Sequence, residues 1–223
     1  MLKANTSDSL SIFLKYLSQH KEVEESLPPL ADLSISLGIN ISRLREQLEV
    51  ARALGLVDVR PRTGTRRLPY TFTPAVLQSL VYAISMDQTQ FNKFADLRKH
   101  VESAYWHEAV EKLTEEDKKS LQDLMASAWG KLNGEPVKIP HNEHRQLHLA
   151  VFSKLNNPFV TGILEAYWDA YEAVGLNVYT EFKYLKEVWN YHQKMVDAIC
   201  ANKFEEGYQA LLDHTDLIYQ RPK

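Results

Sequence analysis

Cysteine occurs once in these 223 residues, at Cys200. No disulfide can form within the chain and no cluster of thiolates can hold zinc, a usage that fits a reducing cytosol. Long apolar runs are also missing. Nothing approaches the roughly 20 residues that span a bilayer, and Met1 to Ser9 is polar, without the apolar core of a secretion signal. The expected location is therefore cytoplasmic, with no membrane partner. Glycine is absent between Gly64 and Gly130, so the middle of the chain has few natural breaks and reads as helix. An overall basic excess is lacking too: the net charge is −3. That excludes a protein that is basic all over, but not one with a single basic face.

Such a face is present. Met1 to Tyr70 carries ten Lys and Arg against eight Asp and Glu, whereas the remainder carries sixteen against twenty-one. Asn40 to Arg67 alone holds seven arginines and three acids. An acidic chain with one basic segment can present that surface to polyanionic DNA. A merely solvated basic face has the same charge, so the placement of the arginines must decide.

The length suits two modest domains, and the periodicity divides accordingly. Leu10, Phe13, Leu14 and Leu17 recur at helical spacing, with Ser7 or Asp8 as the expected cap. Pro28 and Pro29 open a second helix carrying Leu30, Leu33 and Leu37, which Gly38 stops. Asn40 caps a third, whose apolar stripe reads Ile41, Leu44, Leu48, Ala51 and Leu54. Leu56 to Val59 alternates like a strand, Pro61 to Gly64 turns, and Arg66 to Tyr70 returns. Helix, short helix, tight turn, helix and hairpin is the order of a winged helix-turn-helix. The arginines fall on its third helix and its hairpin, the parts such a fold offers to DNA. Candidate DNA contacts are Asn40, Ser42, Arg43 and Arg45 on the helix, with Arg62, Gly64 and Arg66 on the wing.

From Thr73 the pattern is helical throughout, near 73–86, 90–112, 115–131, 141–155, 158–175, 181–201 and 204–219. Breaks are expected at Asn133 to Pro136, at Asn156 to Pro158 and at Gly175 to Asn177. The expected fold is mainly α: residues 1–72 a winged helix-turn-helix with a small β-hairpin, residues 73–223 an all-helical bundle that senses a ligand.

Three of these helices carry histidines in their apolar stripes. His144, Leu147, His148, Val151, Phe152 and Leu155 step by three and four. Leu185, Val188, Trp189, His192, Val196 and Ile199 repeat the device, as do Phe204, Tyr208, Leu211, His214 and Ile218. One inward histidine is usually a satisfied core residue. Four on three helices, two of them an i,i+4 pair, also suit a nitrogen-rich site for a divalent metal. Periodicity leaves both readings open. His20, His100, His107 and His141 lack this combination and are read as surface or structural. Arg98 falls in another stripe, Phe94, Leu97, Arg98, Val101 and Tyr105, and a buried guanidinium needs an anion. Glu102, one turn on, is one such partner; a carboxylate ligand shared with a metal is another.

A metalloenzyme is the competing class. His144 and His148 have the spacing of a zinc-protease helix, but Arg145 stands where the catalytic glutamate belongs. No phosphate-binding loop and no nucleophile in recognisable context accompany it, so the expectation is not an enzyme.

The ordered set of local sequences resembles the GntR superfamily of bacterial transcription regulators, in its FadR-like branch with an FCD ligand-binding domain. Leu27-Pro28-Pro29-Leu30-Ala31-Asp32-Leu33 is similar to "LPsEreLA", and Gly38 to Leu48 to the recognition helix "lGVSRtpVREAL". Ala53 to Val57 and Arg62 to Thr65 resemble the "GLv…rGtGtfV" wing. Leu97 to Glu102 resembles "vRraLE", and His144 to His148 with Asn156-Asn157-Pro158 resembles "DraFH…gNp". Tyr191 to Ile199 and Ala210 to His214 match the last two histidine-bearing helices.

The resemblance implies a homodimer on a palindromic operator in double-stranded DNA, modulated by a small effector. It carries the family's metal ligands onto His144, His148, His192 and His214, with His144 standing where the family has an aspartate. Losing that carboxylate favours zinc or nickel over manganese. A small carboxylate bridging the metal and Arg98 is the implied effector; a metal-free acyl-CoA sensor is the alternative within the family. At the DNA end, Ile41 stands where the family arginine reads guanine. Arg45 matches, Arg43 is expected to reach phosphate, and the operator is expected to be atypical.

Overall fold

The structure, a computed structural model, describes residues 9–20, 26–60, 64–173 and 182–217. The chain divides into two compact units, residues 1–78 and 79–223. The division falls inside α4 (Thr73–Met86), a few residues beyond the junction expected from sequence.

In the first unit α1 (Ile12–Gln19) is capped by Ser11, whose Oγ accepts the Leu14 N–H at 3.3 Å. The cap thus lies later than Ser7 or Asp8, and Leu10 precedes the helix, exposed. α2 (Leu30–Leu37) ends at Gly38, which adopts φ +65° at little cost without a Cβ. The Asn40 carboxamide then starts α3 (Ile41–Ala53) by accepting the Arg43 N–H at 2.8 Å. Phe13, Leu17, Leu33, Ile39, Leu44, Leu48, Ala51 and Val57 form one core. The Gln47 side chain accepts the Phe13 N–H at 2.9 Å and fixes α1 on α3.

One expected core residue is not there. Ile41 is 41% exposed. It lies three residues before Leu44, about 60° off the line of Leu44, Leu48 and Ala51, in a first turn where Ser42 and Arg43 are exposed as well. β1 (Val57–Arg60) pairs antiparallel with β2 (Gly64–Arg67), from Val57 opposite Arg67 to Arg60 opposite Gly64. The returning strand starts two residues earlier than its alternation suggests, because Gly64, at φ +86°, already belongs to it. The Leu27 N–H adds a bond to the Thr65 carbonyl at 2.8 Å. This is a winged helix-turn-helix.

The second unit is helical among its described residues: α5 (Gln90–Glu111), α6 (Glu115–Leu132), α7 (His141–Val151), α8 (Pro158–Ala173), α9 (Phe182–Cys200) and α10 (Phe204–Asp216). The helix expected over 141–155 stops at Val151 and tightens into a 3₁₀ turn at Ser153–Leu155 before Asn156 turns left-handed. The break expected at Gly175 to Asn177 lies outside the described residues. Trp106, Leu121, Met125, Leu147, Trp189, Val196 and Ile199 belong to the core. α10 approaches α5 closely at Gly207, where a Cβ would come within 2.8 Å of Trp106 Cζ2. The Trp106 indole N–H donates to the Phe204 carbonyl at 2.9 Å.

On α5 the buried face is Phe91, Ala95, Arg98, Glu102, Trp106 and Ala109. Leu97, expected inward, is 44% exposed; the stripe is rotated so that Glu102 joins Arg98 inside.

Candidate metal centre and DNA-facing elements

Three helices converge on one point inside the second unit. α7 delivers His144 and His148 one turn apart, α9 delivers His192 from between Trp189 and Val196, and α10 delivers His214. The Nε2 atoms of His148, His192 and His214 form a triangle with edges of 3.1, 3.2 and 3.1 Å. His144 lies against them, its ring centroid 4.7 Å from that of His192, so all four offer a nitrogen within 4.8 Å of one another. The Nε2 of His144 is buried without a hydrogen-bond partner among the described residues.

That geometry tests whether a cation fits. A neutral imidazole has one N–H and one lone pair, and three Nε2 atoms facing a common centre cannot all hydrogen-bond to one another. Three nitrogens each about 2.0–2.1 Å from one ion lie roughly 3.0–3.4 Å apart, which is the spacing found. Burial first, then repulsion from neighbouring cationic groups, holds all four histidines well below their ordinary value of 6.5. They are thus neutral lone-pair donors, the form a metal requires.

Arg98 and Glu102 compete for the ring of one of them, His148. Glu102 Oε1 lies 3.1 Å from His148 Nδ1 and 3.0 Å from Arg98 Nε. Arg98 Nη2 is 2.9 Å from the same Nδ1. A carboxylate only accepts and a guanidinium only donates, so one ring nitrogen cannot satisfy both. In the tautomer whose Nδ1–H donates to Glu102, Nε2 presents its lone pair to the triangle, as in a carboxylate–histidine–metal arrangement; that is the tautomer a metal would select. Arg98 and Glu102 are 1% and 0% exposed. Burial raises Glu102, against the opposing pull of Arg98; for Arg98, Glu102 and Tyr167 outweigh burial and raise it. The guanidinium carbon sits 4.4 Å from the Tyr167 ring centre and 4.8 Å from that of Trp168. Burial pushes the Tyr167 hydroxyl up to about 12.

A cavity of about 40 Å³ adjoins the cluster, lined among others by Arg98, His141, His144, Tyr171 and His214. By roughly 10–15 Å³ per probe sphere it has room for a few water-sized groups. His141 joins this lining although its place in the sequence reads as surface or structural, and Glu102, expected only as an ion-pair partner of Arg98, also reaches His148. The i,i+4 spacing from Arg98 was the available signal for Glu102. Nothing in the periodicity pointed to Tyr167 or Trp168.

The DNA-side candidates sit as follows. Ser42, Arg43 and Arg45 are exposed on α3, with no ion pair among the described residues. Asn40 is the helix cap. Gly64 and Arg66 are exposed on β2. Arg62 lies outside the described residues. His20, His100 and His107 are exposed, the last two beside Asp96 and Glu205.

The FCD domain model matches residues 93–217, more than half the chain. The chain belongs to the FCD-domain family. With a winged helix-turn-helix ahead of it, this FCD protein has the makeup of the GntR-superfamily regulators its motifs resemble. Solved structures agree at the level of fold. Streptococcus agalactiae GntR shares 15% identity over 94% of this chain and 95% of its own, with a TM-score of 0.68. E. coli McbR/YncC shares 19% over 95% and 96%, with a TM-score of 0.51. No match is found among curated proteins compared by sequence. No helix among the described residues is long and apolar enough to cross a membrane.

The depressed histidines give a pH prediction for the metal-free protein. A base whose folded value is lowered contributes stability that is complete above 6.5 and lost as pH falls below it. Each of the four costs roughly 1.4 kcal/mol per pH unit until its own folded value is reached. Glu102, raised by burial, slopes oppositely, its contribution being lost as pH rises above its ordinary 4.5. Four groups outweigh one. The urea midpoint of metal-free protein should fall steeply between pH 6.5 and 5.5; an unchanged midpoint would show that the rings are not buried neutral.

Proposed function

We propose that this FCD protein is a transcription regulator that binds a palindromic DNA operator as a homodimer, and that a small carboxylate effector changes its operator affinity. A divalent ion, zinc or nickel by its all-imidazole donors, is held by His148, His192 and His214 with His144 beside them. Such an ion would supply a Lewis-acidic anchor for a carboxylate oxygen. Arg98 supplies a charge-assisted contact to the same carboxylate, and Tyr167 and Trp168 hold that guanidinium in place. The observation that carries the reading is the triangle of Nε2 atoms 3.1–3.2 Å apart, beside a cavity that Arg98 lines.

Three histidines with Nε2 atoms turned to one point favour a metal-dependent sensor over a metal-free acyl-CoA sensor. The metalloenzyme alternative has no free base at the expected place: Arg145 pairs with Asp169 at 3.0 Å. The effector acts by binding two arrangements of the dimer with different affinity. A coupling of about 1–3 kcal/mol alters operator affinity roughly 5- to 150-fold. The two α3 helices of the dimer would lie about one DNA turn apart, roughly 34 Å.

Binding to duplexes selected from a random library, followed by fluorescence anisotropy, tests the DNA side. Arg45→Ala should erase preference for the selected sequence over random duplex. Arg66→Ala should weaken binding to both and lower the salt slope by about one. If Arg45→Ala leaves the preference intact, α3 is not the reading helix.

A further inference from the structure

Ile41 presents a branched apolar side chain to solvent, 41% exposed, in the first turn of α3. The N-terminal residues of a recognition helix are those that meet base edges. Asn40, immediately before it, accepts the Arg43 N–H on its side-chain Oδ1 at 2.8 Å. Its amide is thereby oriented by the helix end, and the paired contact by which asparagine reads adenine is compromised. Arg43 lies about 200° round the helix from Ile41, whereas Arg45, one turn on, lies only about 40° away. Ile41 and Arg45 therefore share a face, and both are exposed.

A hydrocarbon side chain cannot hydrogen-bond a base, but the major groove has one apolar feature, the thymine C5-methyl. We infer that Ile41 is a specificity-determining residue that packs on a thymine methyl within two base pairs of the one read by Arg45. Ile35 is more exposed, at 82%, but it lies at the end of α2, outside the reading helix. The arginine on the same face names the occupant: a neighbouring protein surface would have to bury Arg45 with the isoleucine, whereas DNA supplies its counter-charge. Four residues of helix rise about 6 Å, close to two base-pair steps of about 3.4 Å. The thymine should accordingly lie one or two pairs from the guanine that Arg45 contacts.

The inference rests on the DNA-binding reading, and one experiment separates the two. Duplexes are selected from a random library with the full-length protein. Each thymine of the enriched site is then replaced by deoxyuridine, which removes only the methyl, and affinities are read by anisotropy. One position per half-site should lose about three- to fivefold, the effect of uncovering one methyl-sized group. Ile41→Ala, checked by circular dichroism, should lose as much on the thymine duplex and be indifferent to deoxyuridine. Arg45→Ala should remain sensitive to it. No deoxyuridine penalty at any position, or an equal penalty in Ile41→Ala, overturns the inference while leaving DNA binding in place. A change of oligomeric state in Ile41→Ala without a deoxyuridine effect assigns the residue to a protein contact instead. Failure to enrich any duplex overturns both readings.

Discussion

His192→Ala should weaken the binding of zinc or nickel by roughly a hundredfold or more and abolish the rise in melting temperature that added metal gives the native protein. His192 supplies two of the three short edges of the nitrogen triangle, 3.1 Å to His148 and 3.1 Å to His214. Without it two donors remain close, and His144 stands off the triangle. Two imidazoles and a distant third cannot complete the shell of a borderline metal. A ligand bound only by the folded state stabilises it by about 2.7 kcal/mol at a hundred times its dissociation constant, so the loss is visible in a thermal scan. Competition with a chromophoric chelator measures the affinity directly. His100→Ala, which alters an exposed ring beside Asp96, is the control and should behave as native. Equal metal affinity in His192→Ala and the control would remove the site.

The second large effect is expected at Arg98. Its guanidinium is fully buried against Glu102 at 3.0 Å, and removing one member of a buried pair leaves the other charge uncompensated, at about 3–5 kcal/mol. Arg98→Ala should therefore lower the denaturant midpoint sharply whether or not the arginine also meets a ligand. The paired replacement Arg98→Met with Glu102→Gln separates the roles. It removes both charges, keeps similar volumes, and leaves a glutamine oxygen to accept the His148 Nδ1–H. This protein should recover most of the lost stability and retain metal, yet bind small carboxylates such as acetate more weakly than native protein by calorimetry. Undiminished carboxylate binding would confine Arg98 to a structural role.

The histidine pattern was legible in sequence because helical periodicity and burial are tied together. Residues three and four apart share a face, and the rest of each stripe was apolar enough to fix that face inward. His148, His192 and His214 are accordingly buried. That three helices bring them to one point depends on packing between helices distant in the chain, which periodicity does not contain; there the resemblance to a family supplied the grouping. Errors arose where a face was assigned from too few neighbours. Leu97 and Ile41 are apolar and near the right phase, yet each lies at the flank of its helix's buried face and is exposed. The phase that excludes Leu97 admits Glu102, a carboxylate that composition alone places outside. The Tyr167 and Trp168 rings around Arg98 were illegible for a further reason, since α8 is apolar on several sides and carries no single stripe to orient it.

The most direct measurement is the metal content of full-length protein purified without chelator and without a metal-binding tag, by plasma mass spectrometry. The proposed site predicts about one zinc or nickel per native chain and almost none in a folded His148→Ala, His192→Ala double variant. Native protein that is folded, binds its selected duplex and carries no divalent metal, even after incubation with zinc or nickel, would contradict it.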